Sequence, residues 1–149
     1  MNKLFMPVVI FVLLAACNKD EKIMTDNKQE IENYLAANNL KAESTESGLY
    51  YIVTREGDGK YPTSRDSVTV HYKGYYTDGE QFDSSYDRGE SITFPLTGVI
   101  SGWTEGIPKF SKGGAGTLLI PSDLAYGANP GNGIRNNAVL IFDVELLDF

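Results

Sequence analysis

A phenylalanine and an aspartate stand side by side in GEQFDSS, residues 79–85, immediately after a turn signal at residues 77–79. Neighbouring side chains of a strand normally point to opposite faces, so one of this pair would face the core and the other water. Two interpretations are open. Asp83 is a turn or strand-end residue that follows a core Phe82, or both side chains line one wall of a mostly apolar pocket.

The chain lacks the residues on which most hydrolytic and metal chemistry depends. His71 is the single histidine and Cys17 the single cysteine, so neither a His/Cys zinc site nor a Cys–His or Ser–His nucleophile pair is expected. The run GGAG at residues 113–116 has no following Lys-Ser or Lys-Thr and precedes a strand, which argues against a phosphate loop. We therefore expect no metal and no cofactor.

Aromatic side chains are abundant instead: nine Tyr, seven Phe and one Trp. The lone Trp103 lies in ISGWTEGIPKF, residues 100–110, where a glycine and a proline limit a helix to a turn or two. Helical spacing is seen for Ile100, Trp103, Ile107 and Phe110. Trp103 either fills the concavity of a sheet or forms the floor of a cleft whose walls come from neighbouring strands.

The elements that must position these side chains are mainly strands, because short apolar runs alternate with turn residues from Gly48 to the C-terminus. The dipeptide Asp78-Gly79 predicts a hairpin. The five predicted strands span Leu49–Arg55, Ser67–Tyr76, Ile92–Leu96, Gly116–Ile120 and Ala138–Leu147. Together with the short helix they predict a bent sheet wrapped around one helix.

Residues 1–16 have the pattern of a signal peptide, since Lys3 is followed by thirteen uncharged and mainly large apolar residues. The ending LLAAC resembles a bacterial lipobox, which implies that Cys17 is acylated and becomes the N-terminus; the alternatives are ordinary cleavage that leaves a free thiol and a cysteine buried in the core. An Asp directly after the acylated cysteine resembles a signal for retention in the inner membrane. No Asp follows Cys17 directly, which favours the outer membrane. We expect a lipid-anchored protein of the cell envelope, on its periplasmic face or exposed at the surface.

Residues 17–47 are predicted to form a lipidated stalk and one helix. A capping-box-like start at Asp26 and paired asparagines at 38 and 39 bound a helix over residues 27–37. Its narrow apolar stripe is typical of a helix that docks on its own domain or on a copy.

Without residues 1–16, which contain only Lys3 among charged residues, the chain has twelve Lys and Arg against twenty Asp and Glu, a balance of −8. Such a charge repels nucleic acid and anionic lipid headgroups. We therefore expect no nucleic-acid partner.

Four segments together resemble the FKBP family of peptidyl-prolyl cis-trans isomerases. They are HYKGYYTDGEQFDSS at 71–85, VISGWTEGI at 99–107, IPSDLAYG at 120–127 and AVLIFDVELL at 138–147. The resemblance covers residues 48–149. It implies an α+β fold, a five-stranded antiparallel half-barrel wrapped around a short helix, with residues 17–47 as an N-terminal helical extension.

The resemblance also implies the site. Catalytic positions would be Asp83, Tyr126, Trp103 and Phe142, and substrate-binding positions Tyr72, Phe82, Val99, Ile100, Ile92 and Ile134. In the family's pattern Trp103 lies beneath the proline ring, Tyr126 donates its hydroxyl to a substrate carbonyl, and Asp83 holds the polar edge with Tyr72 and Arg88 nearby. Both partners of the adjacent pair at 82 and 83 would then face one cavity.

The sequence departs from the family's pattern at three places, one of which is the loss of about two residues between Leu96 and Val99. Ile92 stands where an aromatic residue is frequent, and Arg135-Asn136 replace a frequent Pro-Pro pair in ANPGNGIRNN, residues 128–137, which corresponds to the family's loop over the pocket. We expect these differences to change substrate preference and the affinity for macrolide inhibitors, and to leave the pocket itself intact. The expected partners are polypeptide clients that contain X-Pro bonds, and the alternative function is a membrane-tethered chaperone or binding module that grips proline segments without catalysis.

Overall fold

The computed structural model describes residues 11–131 and 133–149, with side chains from residue 18 onward. Most of the predicted signal peptide, residues 1–16, and the side chain of Cys17 therefore lie outside the described part. Within that part, no helix is both long enough and apolar enough to cross a bilayer.

The described residues form three α-helices and seven strands. In chain order they are α1 (Phe11–Ala37), β1 (Glu43–Ser44), β2 (Tyr50–Arg55), β3 (Ser67–Tyr75), β4 (Gln81–Ser84), α2 (Ser85–Arg88), β5 (Ile92–Pro95), α3 (Ser101–Gly106), β6 (Ala115–Ile120) and β7 (Leu140–Asp148). Short 3-10 turns span Leu96–Gly98, Ile107–Lys109 and Ser122–Leu124.

All seven strands join one antiparallel sheet in the order β1-β2-β6-β7-β3-β4, with β5 also paired to β3. The two halves of β3 have different neighbours on one side, because Val70 pairs with Ile92 of β5 and Gly74 with Asp83 of β4. This arrangement confirms the predicted sheet curled around a short helix. The five predicted strands are present, and β1 and β4 extend the sheet.

The main core lies between the concave face of the sheet and α3. Alternation places Val68, Val70 and Tyr72 of β3 in this core, as predicted, and β7 contributes Leu140, Phe142, Val144 and Leu146. Helix α3 lies close to β6 at Gly102, where a Cβ atom would stand only 2.4 Å from the Ile120 side chain. The glycine in this helix thus permits the close approach that buries Trp103.

A second core covers the outer face of the sheet. Ile31 and Leu35 of α1 pack against Leu119 of β6 and Ile141 of β7, and all four side chains are at most 9% exposed. Because strand neighbours point to opposite faces, β6 and β7 each supply apolar side chains to both cores. The stripe of α1 therefore docks on the chain's own sheet.

The predicted start of this helix at residue 27 was wrong, because α1 spans Phe11–Ala37. Residues 18–26 contain no Gly or Pro and include several good helix formers, so helix continues through the local capping signal at Asp26. The side chain of Asn27 does not face water at a helix end. It is 4% exposed and contacts the main chain elsewhere in the fold.

Candidate active site

A cavity of about 630 Å³ opens between α3 and the concave face of the sheet. All ten residues predicted as catalytic or substrate-binding line it: Tyr72, Phe82, Asp83, Ile92, Val99, Ile100, Trp103, Tyr126, Ile134 and Phe142. Three lining residues were not predicted, namely Phe94, Gly98 and Pro130. The structure therefore brings every predicted site residue to one place.

Trp103 forms the bottom of the cavity. Its indole is 6% exposed and lies edge-on to Phe142 and Tyr72, with ring centroids 5.0 and 5.1 Å apart. Phe94 approaches it from β5 at 5.2 Å. Among the described residues, the buried indole Nε1 has no hydrogen-bond partner, so aromatic packing fixes the ring.

A local irregularity in the sheet explains how neighbours 82 and 83 both reach the cavity. Asp83 pairs with Gly74, whereas the next residue of β3, Tyr75, pairs with Gln81, so Phe82 is an extra residue in β4. Such a bulge bends the strand and changes the direction of its side chains. Each of the two interpretations of this pair is therefore correct in part. Phe82 packs against Phe142, with the ring centroids 5.5 Å apart, and it also lines the cavity.

Gly74 gives these two rings their room. A Cβ atom at this position would stand 2.7 Å from the Phe82 ring and 2.8 Å from the Phe142 ring. The glycine is paired with Asp83 on one side and with Phe142 on the other. The backbone of β3 therefore lies directly behind the two rings that form this wall.

The polar edge of the cavity is a network of three side chains. The Tyr72 hydroxyl and Arg88 Nη1 both donate to the carboxylate of Asp83, and Arg88 Nη2 donates to the Tyr72 hydroxyl oxygen at 3.0 Å. The backbone N–H of Ser84 adds a bond of 2.8 Å to Asp83 Oδ1. Arg88 lies on α2, directly after β4, so the local chain direction brings it to Asp83.

This network holds Asp83 in its charged form. Burial opposes ionisation, but the hydrogen bonds from Tyr72 and Arg88 and the charge of Arg88 outweigh it, so the pKa of Asp83 lies below its ordinary value. Burial raises the pKa of Tyr72, and the hydrogen bond to Asp83 acts in the same direction. The cavity edge therefore presents a fixed carboxylate and a neutral phenol.

Tyr126 is the most exposed of the lining aromatics. It follows the turn Ser122–Leu124 and is 47% exposed. Within the part of the chain that the structure describes, its hydroxyl makes no hydrogen bond to protein. The hydroxyl is thus available to a ligand in the cavity.

The loop 128–137 covers one side of the cavity with Pro130 and Ile134. Arg135 attaches this loop to the hairpin between β3 and β4. Its guanidinium pairs with Asp78 and Glu80 at 2.7 and 2.6 Å and stacks on the Tyr76 ring at 4.1 Å from the centroid. Its backbone N–H donates to the Tyr76 hydroxyl at 3.1 Å.

Two of the unpredicted residues had a signal in the sequence. Phe94 stands two positions after Ile92 in a predicted strand, so alternation alone places both on one face. Pro130 lies in the loop that was expected to cover the pocket. Gly98 had no such signal, because only the fold brings its backbone to the cavity.

Three comparisons bear on the family. A family model described as FKBP-type peptidyl-prolyl cis-trans isomerase matches residues 59–147. The chain is 51% identical over 131 residues to the FKBP-type peptidyl-prolyl cis-trans isomerase FkpA of Aeromonas hydrophila and 47% identical over 134 residues to FkpA of Escherichia coli K12. Each match covers 87% of this chain and 49% of the relative. The chain thus spans about half the length of these curated relatives.

Solved structures agree with this family. The crystal structure of FkpA from Escherichia coli matches with a TM-score of 0.75 and 45% identity, covering 92% of this chain and 65% of that one. The crystal structure of AtFKBP13 matches with a TM-score of 0.66 and 35% identity, covering 72% of this chain and 97% of that one. With the family model matching more than half of its residues, the chain belongs to the FKBP-type peptidyl-prolyl cis-trans isomerase family.

Proposed function

We propose that this protein is a peptidyl-prolyl cis-trans isomerase, a rotamase, that acts on X-Pro bonds of exported proteins. The observation that carries the proposal is the open cavity above the buried indole of Trp103, which has aromatic and aliphatic walls and one polar edge. Such a site accepts a proline ring and offers few polar groups that would hold a planar amide.

The reaction suits a site without a nucleophile, because no bond is made or broken. Rotation about an X-Pro bond costs about 18–20 kcal/mol, since it removes amide resonance. The planar amide is more dipolar than the twisted one, so a dry apolar cavity disfavours the ground state relative to the transition state. Lowering the barrier by about 5–6 kcal/mol would accelerate rotation about ten-thousandfold.

The roles proposed for individual residues follow from their places in the cavity. Trp103 forms the floor under the proline ring, and Phe142 and Phe82 form the wall beside it. Tyr126 donates its hydroxyl to a substrate carbonyl, and Asp83, held by Tyr72 and Arg88, supplies the polar edge. The remaining contacts to substrate come from Ile92, Val99, Ile100 and Ile134, to which we add Phe94.

The experiment is relaxation of an X-Pro peptide from cis to trans, with and without the chain of residues 18–149. This chain keeps residues 18–37 of α1, including Ile31 and Leu35, which are buried against the sheet. The wild type should accelerate relaxation, and a Trp103→Ala, Phe142→Ala double variant should not.

Ile107→Ala is the matched control, because Ile107 is fully buried beside α3 but does not line the cavity. It should lower stability and leave the rate per folded molecule unchanged. A wild-type chain that binds the peptide without accelerating it would support the alternative, a binding module or chaperone for proline segments.

We propose further that the mature protein is anchored in the cell envelope by lipid on Cys17, in the outer membrane, facing the periplasm or the surface. The lipobox-like LLAAC supports this proposal. Cys17→Ser should move the protein from the membrane to the soluble fraction. Unchanged partitioning into detergent would remove the anchor from the proposal.

Macrolide inhibitors are proposed as ligands of the same cavity. Ile92, in place of a frequent aromatic residue, and the loop with Arg135 change the walls that such a ligand would contact. Competition between a macrolide and an X-Pro peptide, followed through the fluorescence of the single Trp103, measures that affinity.

A further inference from the structure

Asn27 is a buried polar side chain on α1, the helix that was expected to belong to a stalk. Its side-chain amide makes two hydrogen bonds, both to main-chain groups remote in sequence. Oδ1 accepts from the N–H of Ser122 at 2.8 Å, and Nδ2 donates to the carbonyl of Asn137 at 3.1 Å. One side chain thus joins the two ends of the segment 122–137.

This segment carries three residues that line the cavity, namely Tyr126, Pro130 and Ile134. Its two ends are also held to each other at Gly127, whose N–H donates to the Ser122 carbonyl at 2.9 Å and whose carbonyl accepts from the Asn137 N–H at 2.9 Å. The position of the ends therefore sets the position of the lining residues between them.

The chemistry of an asparagine matches this task. Its amide offers an acceptor and a donor on one planar group, and here each is used on a different end of the segment. Alanine offers neither, and an ionised aspartate offers only acceptors. Loss of Asn27 would also leave the buried N–H of Ser122 and the half-buried carbonyl of Asn137 without these partners, which is costly above all at Ser122.

The backbone at Asn137 supports the same reading. Asn137 adopts a left-handed conformation with φ of 51°, which asparagine tolerates better than most residues. At this point the chain leaves the loop and enters the segment before β7. The bond from Asn27 fixes the carbonyl of this turn.

We propose that Asn27 is a positioning residue of the isomerase site, through which α1 fixes the loop that carries the Tyr126 hydroxyl. The rate that this inference predicts rests on the proposed function, whereas the effect on the loop does not. Helix α1 then contributes to catalysis, because displacement of a group that contacts the substrate lowers the rate steeply.

The test compares the full chain in detergent micelles with its Asn27→Ala and Asn27→Asp variants. Asn33→Ala is the matched control, since Asn33 is an exposed asparagine on the same helix. Well below the melting temperature, kcat/KM of both Asn27 variants should fall about three- to tenfold, and KM should rise as part of this change because the loop also carries the lining residues Pro130 and Ile134. Asn33→Ala should keep the wild-type value.

A merely structural role would reduce the folded fraction, which lowers kcat and leaves KM unchanged. Amide hydrogen exchange without peptide separates the two roles. Positioning predicts faster exchange at Ser122, Gly127 and Asn137 in Asn27→Ala, and at Gly127 and Asn137 in Asn27→Asp, which keeps the acceptor for the Ser122 N–H, with unchanged exchange in β7 in both variants.

The inference would be overturned if Asn27→Ala kept both the KM and the loop exchange rates of the wild type. It would also be overturned if exchange became faster throughout the sheet while KM stayed unchanged. Asn27→Asp at the wild-type rate would overturn the part assigned to the Asn137 bond. If the loop alone exchanges faster but the wild type has no isomerase activity, Asn27 still holds the loop and the proposed function fails.

Discussion

The hydroxyl of Tyr72 on β3 donates a hydrogen bond to the carboxylate of Asp83 on β4, eleven positions along the chain. The hairpin at Asp78-Gly79 and the bulge at Phe82 bring the two side chains to the same cavity edge. Arg88 binds both of them. The polar edge is therefore a preformed unit, and substrate does not have to organise it.

The first prediction concerns the charge of Asp83. Its pKa lies below the ordinary value of 3.8, so its contribution to stability is present above that value and is lost as the pH falls through the lowered pKa. We expect kcat/KM to be independent of this group from about pH 5 to about pH 8. Asp83→Asn keeps the shape but weakens the charge-assisted bonds, and it should lower kcat/KM about three- to tenfold. An inflection at about pH 6 in the pH profile of wild-type kcat/KM, absent in Asp83→Asn, would contradict a lowered pKa of Asp83.

The second prediction concerns the hydroxyl of Tyr126. Tyr126→Phe removes only the donor, and the ring is already 47% exposed, so stability should change little. We expect kcat/KM to fall about three- to tenfold, which is the effect of one hydrogen bond made in the transition state. Tyr61→Phe is the control, because Tyr61 is 51% exposed and does not line the cavity. An undiminished rate would show that the shape of the cavity and its exclusion of water account for the catalysis without this hydroxyl.

The third prediction uses two glycines at the cavity. Gly74→Ala places a methyl group within 2.8 Å of two rings, so it should cost about 1–3 kcal/mol of stability and weaken peptide binding. Gly98→Ala is the matched control for stability, since its Cβ would meet Pro95 at an ordinary 3.6 Å. Chemical denaturation and peptide titration of both variants measure the two effects. Equal behaviour of the two variants would mean that the Phe82 and Phe142 rings have room to move.

The fourth prediction concerns the attachment of the loop by Arg135. Arg135→Ala removes two exposed ion pairs and the stack on Tyr76, and we expect the Kd of a proline peptide to rise about two- to fivefold. Arg65→Ala is the control, because Arg65 is exposed and makes no ion pair among the described residues. The difference between wild type and variant should shrink at high salt, since salt screens exposed pairs. A difference that is constant with salt would assign the effect to the stack on Tyr76.

The sequence by itself determined five of the seven strands and ten of the thirteen residues that line the cavity. Alternation over Val68, Val70 and Tyr72 fixed which face of β3 is buried, and Asp78-Gly79 fixed the hairpin after it. These signals are local, because a strand repeats every two residues and a tight turn needs particular residues. The four family-like segments contain eight of the lining residues, and the comparison with the family's pattern added Ile92 and Ile134 from outside them.

The tertiary structure alone decided what depends on contacts between distant residues. The bulge that turns Phe82 and Asp83 to one side arises from the pairing of β3 with β4, and the burial of Leu119 and Ile141 on the outer face arises from the docking of α1. The sequence pattern placed Asn27 at a helix start. No local pattern indicates its partners, Ser122 and Asn137, because they lie 95 and 110 positions away. Local patterns report the conformation of neighbours in the chain, whereas a buried amide is explained only by the groups that the fold brings to it.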